Sequence, residues 1–289
     1  MATISAAQVK ELRERTSAGM MDCKKALEEC DGNLEGAIDW LRQKGLSKAA
    51  KKAGRATSEG VMAHKVAPDN SRGILVEVKC ETDFVSRGDQ FQAFAKATAD
   101  KVFAGAPKDD AALTALIGDD VNNQIATLGE NMSVGRFADF AVQGEGLVSC
   151  YVHSNGKIGV LVELGCKADS AKKPEVLELA KNIAMQVAAA SPASLDRASL
   201  DPALIERERE VFRQKTLDEG KPANIVDKIV DGRIQKYYQE VCLVEQNYIR
   251  DDKLTIKALL EQQGKALSDA LSVRRFVRLQ LGEDGGAEE

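Results

Sequence analysis

Histidine occurs only twice in this 289-residue chain, as His64 and His153, and neither lies in a cluster with metal-ligand spacing. That scarcity leaves zinc sites and imidazole-based catalysis poorly supplied. Aromatic residues make up 4% of the chain, too few for platforms that stack single-stranded nucleic acid. Lys and Arg number 40 against 45 Asp and Glu, and a net charge of -5 opposes general nucleic-acid binding, which needs surplus cations to displace counterions. No apolar run approaches the ~20 residues that span a bilayer, and the N-terminus has no basic region followed by an apolar core. Neither a membrane nor a secretory route is expected. The six cysteines form no C-x-x-C pair and read as reduced, mostly packed thiols of a cytoplasmic protein. There is no G-x-x-x-x-G-K-[ST] loop, no G-x-G-x-x-G opening a helix and no G-x-S-x-G elbow, so no nucleotide or other cofactor is expected on the chain itself.

What is present is core-forming material: 44% of residues are hydrophobic, enough for two domains or one large one. A protein partner is the better expectation than a nucleic acid. Residues 1–45 read as three short helices. Ser5 fits an N-cap for Ala6 to Thr16, Ser17-Ala18-Gly19 interrupts the pattern, Met21 to Cys30 resumes it, and Asp31-Gly32-Asn33 makes a turn. Leu34 to Lys44 then places Leu34, Ala37, Ile38 and Leu41 on one face, with Trp40 beside it. Residues 46–58 carry Lys48, Lys51, Lys52 and Arg55 among alanines. A solvated helical linker is the simpler reading, and a contact to an acidic patch on a partner stays open.

The composition changes sharply at Glu77 to Arg87. Gly73 to Val78 is apolar and β-branched, as in a mostly buried strand, whereas Asp89 to Val102 spaces Phe91, Phe94, Ala95, Thr98 and Val102 as a helix. Thr82-Asp83-Phe84-Val85 must therefore form a strand-to-helix corner with two large apolar side chains. Phe84 either folds back as a plug, with Asp83 or Ser86 capping the first turn, or points outward as an anchor for another protein.

An internal duplication bears on that choice. Glu59-Gly60-Val61 recurs as Glu145-Gly146-Leu147, an offset of 86 residues that also relates Val66 to Val152, Gly73 to Gly159, Glu77 to Glu163, Cys80 to Cys166 and Asp83 to Asp169. The following helices match after a one-residue deletion, with Val102 answering Val187 and Pro107 answering Pro192. Ser133 to Phe137 then recurs as Ser272 to Phe276, an offset of 139, so the second copy holds about 54 extra residues. Each copy reads strand, strand, long helix, shorter helical segment, strand. The expected fold is α+β: two subdomains, each an antiparallel sheet covered on one face by helices, at 59–144 and at 145–192 with 242–282. Cys and Asp recur at the second corner, but Ser170-Ala171 stands where the first has Phe84-Val85. A pair needed only to close the unit would be wanted in both copies, which favours an outward role for Phe84.

The insertion at 193–241 reads as an antiparallel helical hairpin. Asp201-Pro202 starts one helix with Leu204, Ile205, Val211 and Phe212 as a stripe; Gly220-Lys221-Pro222 turns the chain; Val226, Ile229, Val230, Arg233, Tyr237 and Val241 follow helical spacing. Spacer, dimerisation arm and partner contact all remain open, as does a homodimer through the hairpin or the core. A strand near Val241 to Ile249, a helix from Thr255 to Gln263 and a strand from Val273 to Leu281 complete the body. Residues 283–289 read as a flexible acidic end.

The segments Leu12 to Leu27, which include Met20-Met21-Asp22-Cys23-Lys24-Lys25, and Glu77 to Arg87 together resemble the two signature stretches of the bacterial elongation factor Ts family. The two long motifs stand in the right order, and the resemblance covers nearly the whole chain. The resemblance implies a ubiquitin-associated-type bundle at the N-terminus and a guanine nucleotide exchange factor for elongation factor Tu, engaged in its GDP-bound and nucleotide-free forms, that performs no covalent chemistry. It further implies that Thr82, Asp83, Phe84 and Val85 dock on that GTPase, with the Phe wedged near its Mg²⁺ and phosphate region, and that Lys24, Leu128, Gly129 and His153 make further contacts. Some members continue into a C-terminal helix that contacts the partner, and that contact is not carried over. Read without the resemblance, His153 is a solvated turn residue. Two competing readings are an enzyme using Cys80 or His153 with nearby carboxylates, and an adaptor whose N-terminal bundle recruits a partner.

Overall fold

A reciprocal cap begins the chain's first helix: the Gln8 N–H donates to Ser5 Oγ at 3.2 Å, and the Ser5 N–H returns to Gln8 Oε1 at 3.0 Å. In this computed structural model, which describes residues 4–16 and 18–283, that helix is α1 (Ala6–Thr16). It packs with α2 (Met20–Glu29) and α3 (Leu34–Lys52) around Leu12, Cys23, Ala26, Leu27 and Ala37, all fully buried. Asn33 caps α3 by accepting the Gly36 N–H at 2.9 Å. The expected break at Ser17 and most of the acidic end, Asp284 to Glu289, lie outside the described residues.

The first copy of the repeat follows as β1 (Glu59–Val66), β2 (Arg72–Cys80), the single turn α4 (Asp83–Ser86), α5 (Asp89–Gly105), α6 (Asp110–Leu128) and β3 (Met132–Ala141). The sheet order is β1-β2-β3, so the apolar run of β2 sits between two strands and is buried on both faces. α5 buries Phe91, Phe94, Ala95, Thr98, Ala99 and Val102, the stripe that the spacing predicts, and the Lys65–Asp100 ion pair ties β1 to it.

α3 does not end at Lys44 as the pattern predicts. It runs on to Lys52 because its second half docks on α6. Gly45 is buried there, and a Cβ on it would just touch that of Ala126 at 3.4 Å. Arg42 pairs with Asp119, and Lys52 Nζ donates to the Gly129 carbonyl. The stretch expected to be a solvated helical linker is helical as far as Lys52, but it buries Gly45 and Ala49.

The second copy repeats the plan with β4 (Gly146–Val152), β5 (Ile158–Gly165) and α7 (Pro174–Ala190), then interrupts it with α8 (Pro202–Asp218) and α9 (Ala223–Val241). A two-stranded ribbon, β6 (Asn247–Tyr248) and β7 (Asp251–Thr255), leads into α10 (Ile256–Leu267) and β8 (Ser272–Gln280). β4 and β5 are antiparallel, with Gly146 opposite Gly165 and Val152 opposite Gly159, and the sheet order is β4-β5-β8. Leu147, Val160, Val162 and Leu164 meet Val176, Ala180, Ile183 and Val187 of α7, with Leu243, Ile256, Leu260 and Val273 completing the core. The α+β class with small antiparallel sheets is thus the observed one.

Matching details recur across the offset. Gly60 (φ +145) and Gly146 (φ +155) open equivalent strands, where a Cβ would lie 2.1 Å from the Val78 carbonyl oxygen and 2.3 Å from that of Leu164. Only glycine fits either place. Ala106 and Ser191 close α5 and α7 in the left-handed conformation, donating their N–H groups to the Val102 and Val187 carbonyls.

Two expectations fail in the insertion. The strand predicted near Val241 to Ile249 is mostly absent: α9 persists to Val241 and a 3₁₀ turn covers Leu243–Glu245, leaving Asn247–Tyr248 as strand. The segment is held by other bonds, with the Leu243 and Val244 N–H groups donating to the Ser194 and Leu195 carbonyls. The hairpin stripe also differs. Ile205, Val226, Val230 and Ile234 are buried with Phe212 and Tyr237 against them, whereas Val211 is exposed and Arg233 pairs outside with Glu219. Arg209–Asp231 and Arg213–Asp227 pair in opposite chain directions, as antiparallel helices require.

By its contacts the chain forms two units: Met1–Lys65 with Leu75–Phe137 and Leu279–Glu289, and Val66–Ile74 with Ala138–Arg278. The β1–β2 hairpin tip therefore groups with later residues. Val148 N–H donates to the Asn70 carbonyl at 2.8 Å, Val142 N–H to that of Ser71 at 2.9 Å, and Arg72 Nε to Asp139 at 2.8 Å. Among the described residues no helix is long and apolar enough to cross a membrane.

Each middle strand buries one glutamate, and an arginine of the third strand neutralises it. Glu77 is 3% exposed and faces Arg136 Nη2 at 3.3 Å; Glu163 is 0% exposed and accepts from Arg275 Nε at 2.7 Å and Arg274 Nη1 at 3.1 Å. Burial pushes the Glu163 pKa up, but the Gln143 N–H and the two guanidiniums outweigh it and hold the carboxyl below its ordinary 4.5. Stability from a depressed carboxylate is fully present above the unfolded value and is lost as pH falls through the native one. Arg275→Ala is expected to cost about 3–5 kcal/mol at neutral pH, since it strips a buried charge of its best partner. Glu163→Gln should flatten the acid loss that begins near pH 4.5. Urea unfolding across that range checks both, and wild-type stability in Arg275→Ala would show that Arg274 suffices.

Candidate functional site

β2 ends at Cys80, whose thiol donates to the Thr82 carbonyl at 3.3 Å and turns the chain. Thr82 is extended and caps the next turn, its Oγ1 accepting the Val85 N–H at 3.4 Å. The cap is thus Thr82 and not Asp83 or Ser86, because only the residue before the turn has its hydroxyl facing the free N–H groups. Asp83 instead pairs with Arg87 at 3.1 Å, and Ser86 is buried, its hydroxyl donating to the Asp83 carbonyl at 3.0 Å. Gln92 Nε2 donates to the Ser86 carbonyl at 2.6 Å and joins the turn to α5. On this braced corner Phe84 is 85% exposed, the most exposed large hydrophobic side chain among the described residues. Val85 beside it is half-buried.

The structure brings a second predicted stretch to the corner. α6 ends at Gly129, which is left-handed (φ +82) and donates to the Ile125 carbonyl at 3.1 Å. The chain then reverses, and Glu130 accepts from the Thr82 N–H at 3.0 Å and from Thr82 Oγ1 at 2.6 Å. In return the Asn131 N–H donates to Glu81, and Asn131 Nδ2 donates to the Arg55 carbonyl at 2.7 Å. Leu128 is half-buried and Gly129 exposed. Glu130 and Asn131 were not singled out from the sequence as site residues. The usable signal was the 139-residue offset, which pairs Glu130 with another acid, Asp269.

Lys24 is exposed on α2 and pairs with Glu28 at 3.7 Å. It rims a groove of about 620 Å³ floored by Ile4, Val9, Met20 and Met21, with Lys10 and Arg13 on the same rim. Met21 is 75% exposed. Asp22, the next residue, holds α2 on α3 through Lys44 at 2.8 Å and Lys48 at 2.9 Å, and those lysines keep its carboxyl below the ordinary range. The helix face therefore offers soft methionine side chains within a basic rim. His153 belongs to the other unit. It sits in the β4–β5 turn, where its N–H donates to the Ile158 carbonyl at 2.9 Å and its Nδ1 lies 3.1 Å from the Tyr151 hydroxyl.

A sequence pattern described as Elongation factor TS matches residues 81–283. An elongation factor Ts of Desulfovibrio desulfuricans is 60% identical over 286 residues, covering 98% of this chain and all of the relative. That of Nitratidesulfovibrio vulgaris is 58% identical, covering 99% of this chain and 98% of its own length. A Clostridium botulinum elongation factor Ts is 47% identical over 97% of this chain and 93% of the relative. The fold and these matches define a translation elongation factor. The chain belongs to the elongation factor Ts family.

The thiols bear on the enzyme alternative. Burial, with the nearby Glu130 charge adding to it, pushes the Cys80 pKa up to about 12, and burial alone does the same to Cys150. Both are protonated at neutral pH, whereas a nucleophile must be a thiolate. In native chain treated with iodoacetamide at about pH 8, Cys80, which is fully buried, should stay unmodified, and denaturation should expose it. Peptide mass spectrometry reads the result; rapid native labelling of Cys80 would restore the enzyme alternative.

Proposed function

We propose that this chain binds elongation factor Tu and accelerates release of its GDP by stabilising the nucleotide-free form. The observation that carries this reading is the single aromatic ring at position 84, left in water on a turn braced from both sides. Leaving a Phe side chain exposed forgoes about 1.5–3 kcal/mol of burial, which a partner's apolar crevice would recover. The turn is already formed, so little ordering entropy is spent on docking.

The energetics then follow from linkage. A GTPase holds its nucleotide through a phosphate loop and Mg²⁺. Contacts made only with the nucleotide-free form weaken nucleotide binding by the same free energy with which the nucleotide weakens them. A ring wedged beside the Mg²⁺ and phosphate site is such a contact, and no covalent step is needed. In this reading Thr82, Asp83 and Val85 present the ring, Leu128 and Gly129, which lead into the Glu130 bonded to Thr82, add contacts, and the methionine groove beside Lys24 is a second docking point on the N-terminal module of residues 1–45. His153 would add a contact from the second subdomain.

Phe84→Ala is expected to fold normally and to lose most of the stimulation of GDP release, by about 2 kcal/mol or roughly thirtyfold. Stopped-flow release of a fluorescent GDP analogue from elongation factor Tu measures it. Unchanged stimulation by a folded variant would rule out the wedge.

A further inference from the structure

A carboxylate reaches the strand-to-helix corner in both halves of the duplication, and it grips a different residue in each. The offset that relates Ser133 to Ser272 also relates Glu130 to Asp269. Asp269 accepts from the Lys167 N–H at 2.9 Å and from the Ser170 side chain. Ser170 holds the place of Phe84, and it is 3% exposed. In the first half, Glu130 stops at Thr82, taking its N–H and its hydroxyl at 3.0 and 2.6 Å. The matching residue in the second half is Ala168, which has no hydroxyl to offer.

The consequence is opposite placement on a shared frame. Where the carboxylate reaches the residue in the place of Phe84, that side chain is drawn in. Where it is spent on Thr82, the Thr82 oxygen is free to take the Val85 N–H and cap the turn from Asp83, and position 84 lies in solvent; the matching 3₁₀ turn Ser170–Lys172 has no side-chain cap. The bond is charge-assisted and two-pronged, the stronger sort of side-chain hydrogen bond. Its strength is spent locally, because Phe84 itself has no part in it.

We infer that Glu130 is a positioning residue for Phe84: its carboxylate sets the Thr82 cap and so holds the ring outward before any partner arrives. The inference rests on the proposed exchange function and adds a residue to it. If the corner is outward for only a fraction of the time, apparent affinity falls by that fraction, while the complex, once formed, is the same. A loosened pin should therefore raise the concentration needed for half-maximal stimulation and leave the maximal release rate alone. A structural defect would not split the two.

The test measures release of a fluorescent GDP analogue from elongation factor Tu against concentration of the full chain. Wild type, Glu130→Ala, Glu130→Gln, Phe84→Ala and the Glu130→Ala/Phe84→Ala double variant are compared, with amide exchange of Thr82 and Val85 followed in each. Glu130→Ala should raise the half-maximal concentration about tenfold at unchanged maximum and speed Thr82 amide exchange. Glu130→Gln, which keeps one acceptor, should recover part of the loss, and Glu130→Ala should add nothing once Phe84 is gone. An undiminished Glu130→Ala effect in the Phe84→Ala background, or a lowered maximum with unchanged half-saturation, overturns the inference. Should Phe84→Ala alone leave stimulation of release unchanged, the wedge fails by itself. The pin then stands or falls on amide exchange, and a Thr82 amide as protected in Glu130→Ala as in wild type overturns it.

Discussion

One carboxylate is buried in the middle strand of each sheet, and each is held by an arginine from the strand that closes that sheet. Arg136 meets Glu77 and also donates to the Gln280 carbonyl at 2.6 Å; Arg275 meets Glu163 and donates to the Ala141 carbonyl at 2.7 Å. Gln280 and Ala141 are themselves related by the 139-residue offset, so Arg136 and Arg275 are placed alike, with Arg274 an added partner of Glu163 where the first half has Gly135. A buried carboxylate without its cation costs several kcal/mol, which makes the third strand of each sheet obligatory and fixes which strand it is. In the second half that strand is β8, reached only after the α8–α9 hairpin, the β6–β7 ribbon and α10. The insertion is tolerated because the ion pair still selects the correct closing strand.

With the frame fixed this way, small differences at the corner become differences in presentation. Both halves have a cysteine at the end of the middle strand, an aspartate three residues on, and a carboxylate arriving from beyond the second helix. One has Thr82, whose hydroxyl engages that carboxylate and caps a turn; the other has Ala168 and a serine that is pulled inward. On the proposed role of Glu130, the ring at Phe84 is outside because of where its neighbours' hydrogen bonds go. Local polar bonds decide the geometry of an apolar contact. The proposed exchange activity draws on that arrangement, since a preformed wedge spends little of its binding energy on ordering itself.

Much of this was visible in the residues. The buried runs of β2 and β5, the stripe of α5 and the succession of strands and helices along each half follow from composition, period and the internal repeat, all of which are local or self-referential signals. The misplaced features share a different cause. Leu34 to Lys44 has the marks of a complete helix, but the helix continues because α6 offers Ala126, Asp119 and the Gly129 carbonyl to its far half. The segment after Val241 has strand-like composition, yet it is captured in a 3₁₀ turn by bonds to Ser194 and Leu195. Val211 carries the helical spacing of its neighbours and still faces water, since the partner helix covers only one stripe.

At the corner the division is sharpest. The order of residues alone established that Phe84 lies between a buried strand and a helix, that its counterpart is a serine, and that an aspartate and a cysteine are common to both places. It also carried the family signatures, because those are runs of identity along one strand of text. What folding alone decided is that Glu130, 48 positions away, closes on Thr82 and that Lys52 and Asn131 brace the same turn. Such partners are chosen by proximity in space, and a carboxylate gives no sign in sequence of which hydroxyl it will meet.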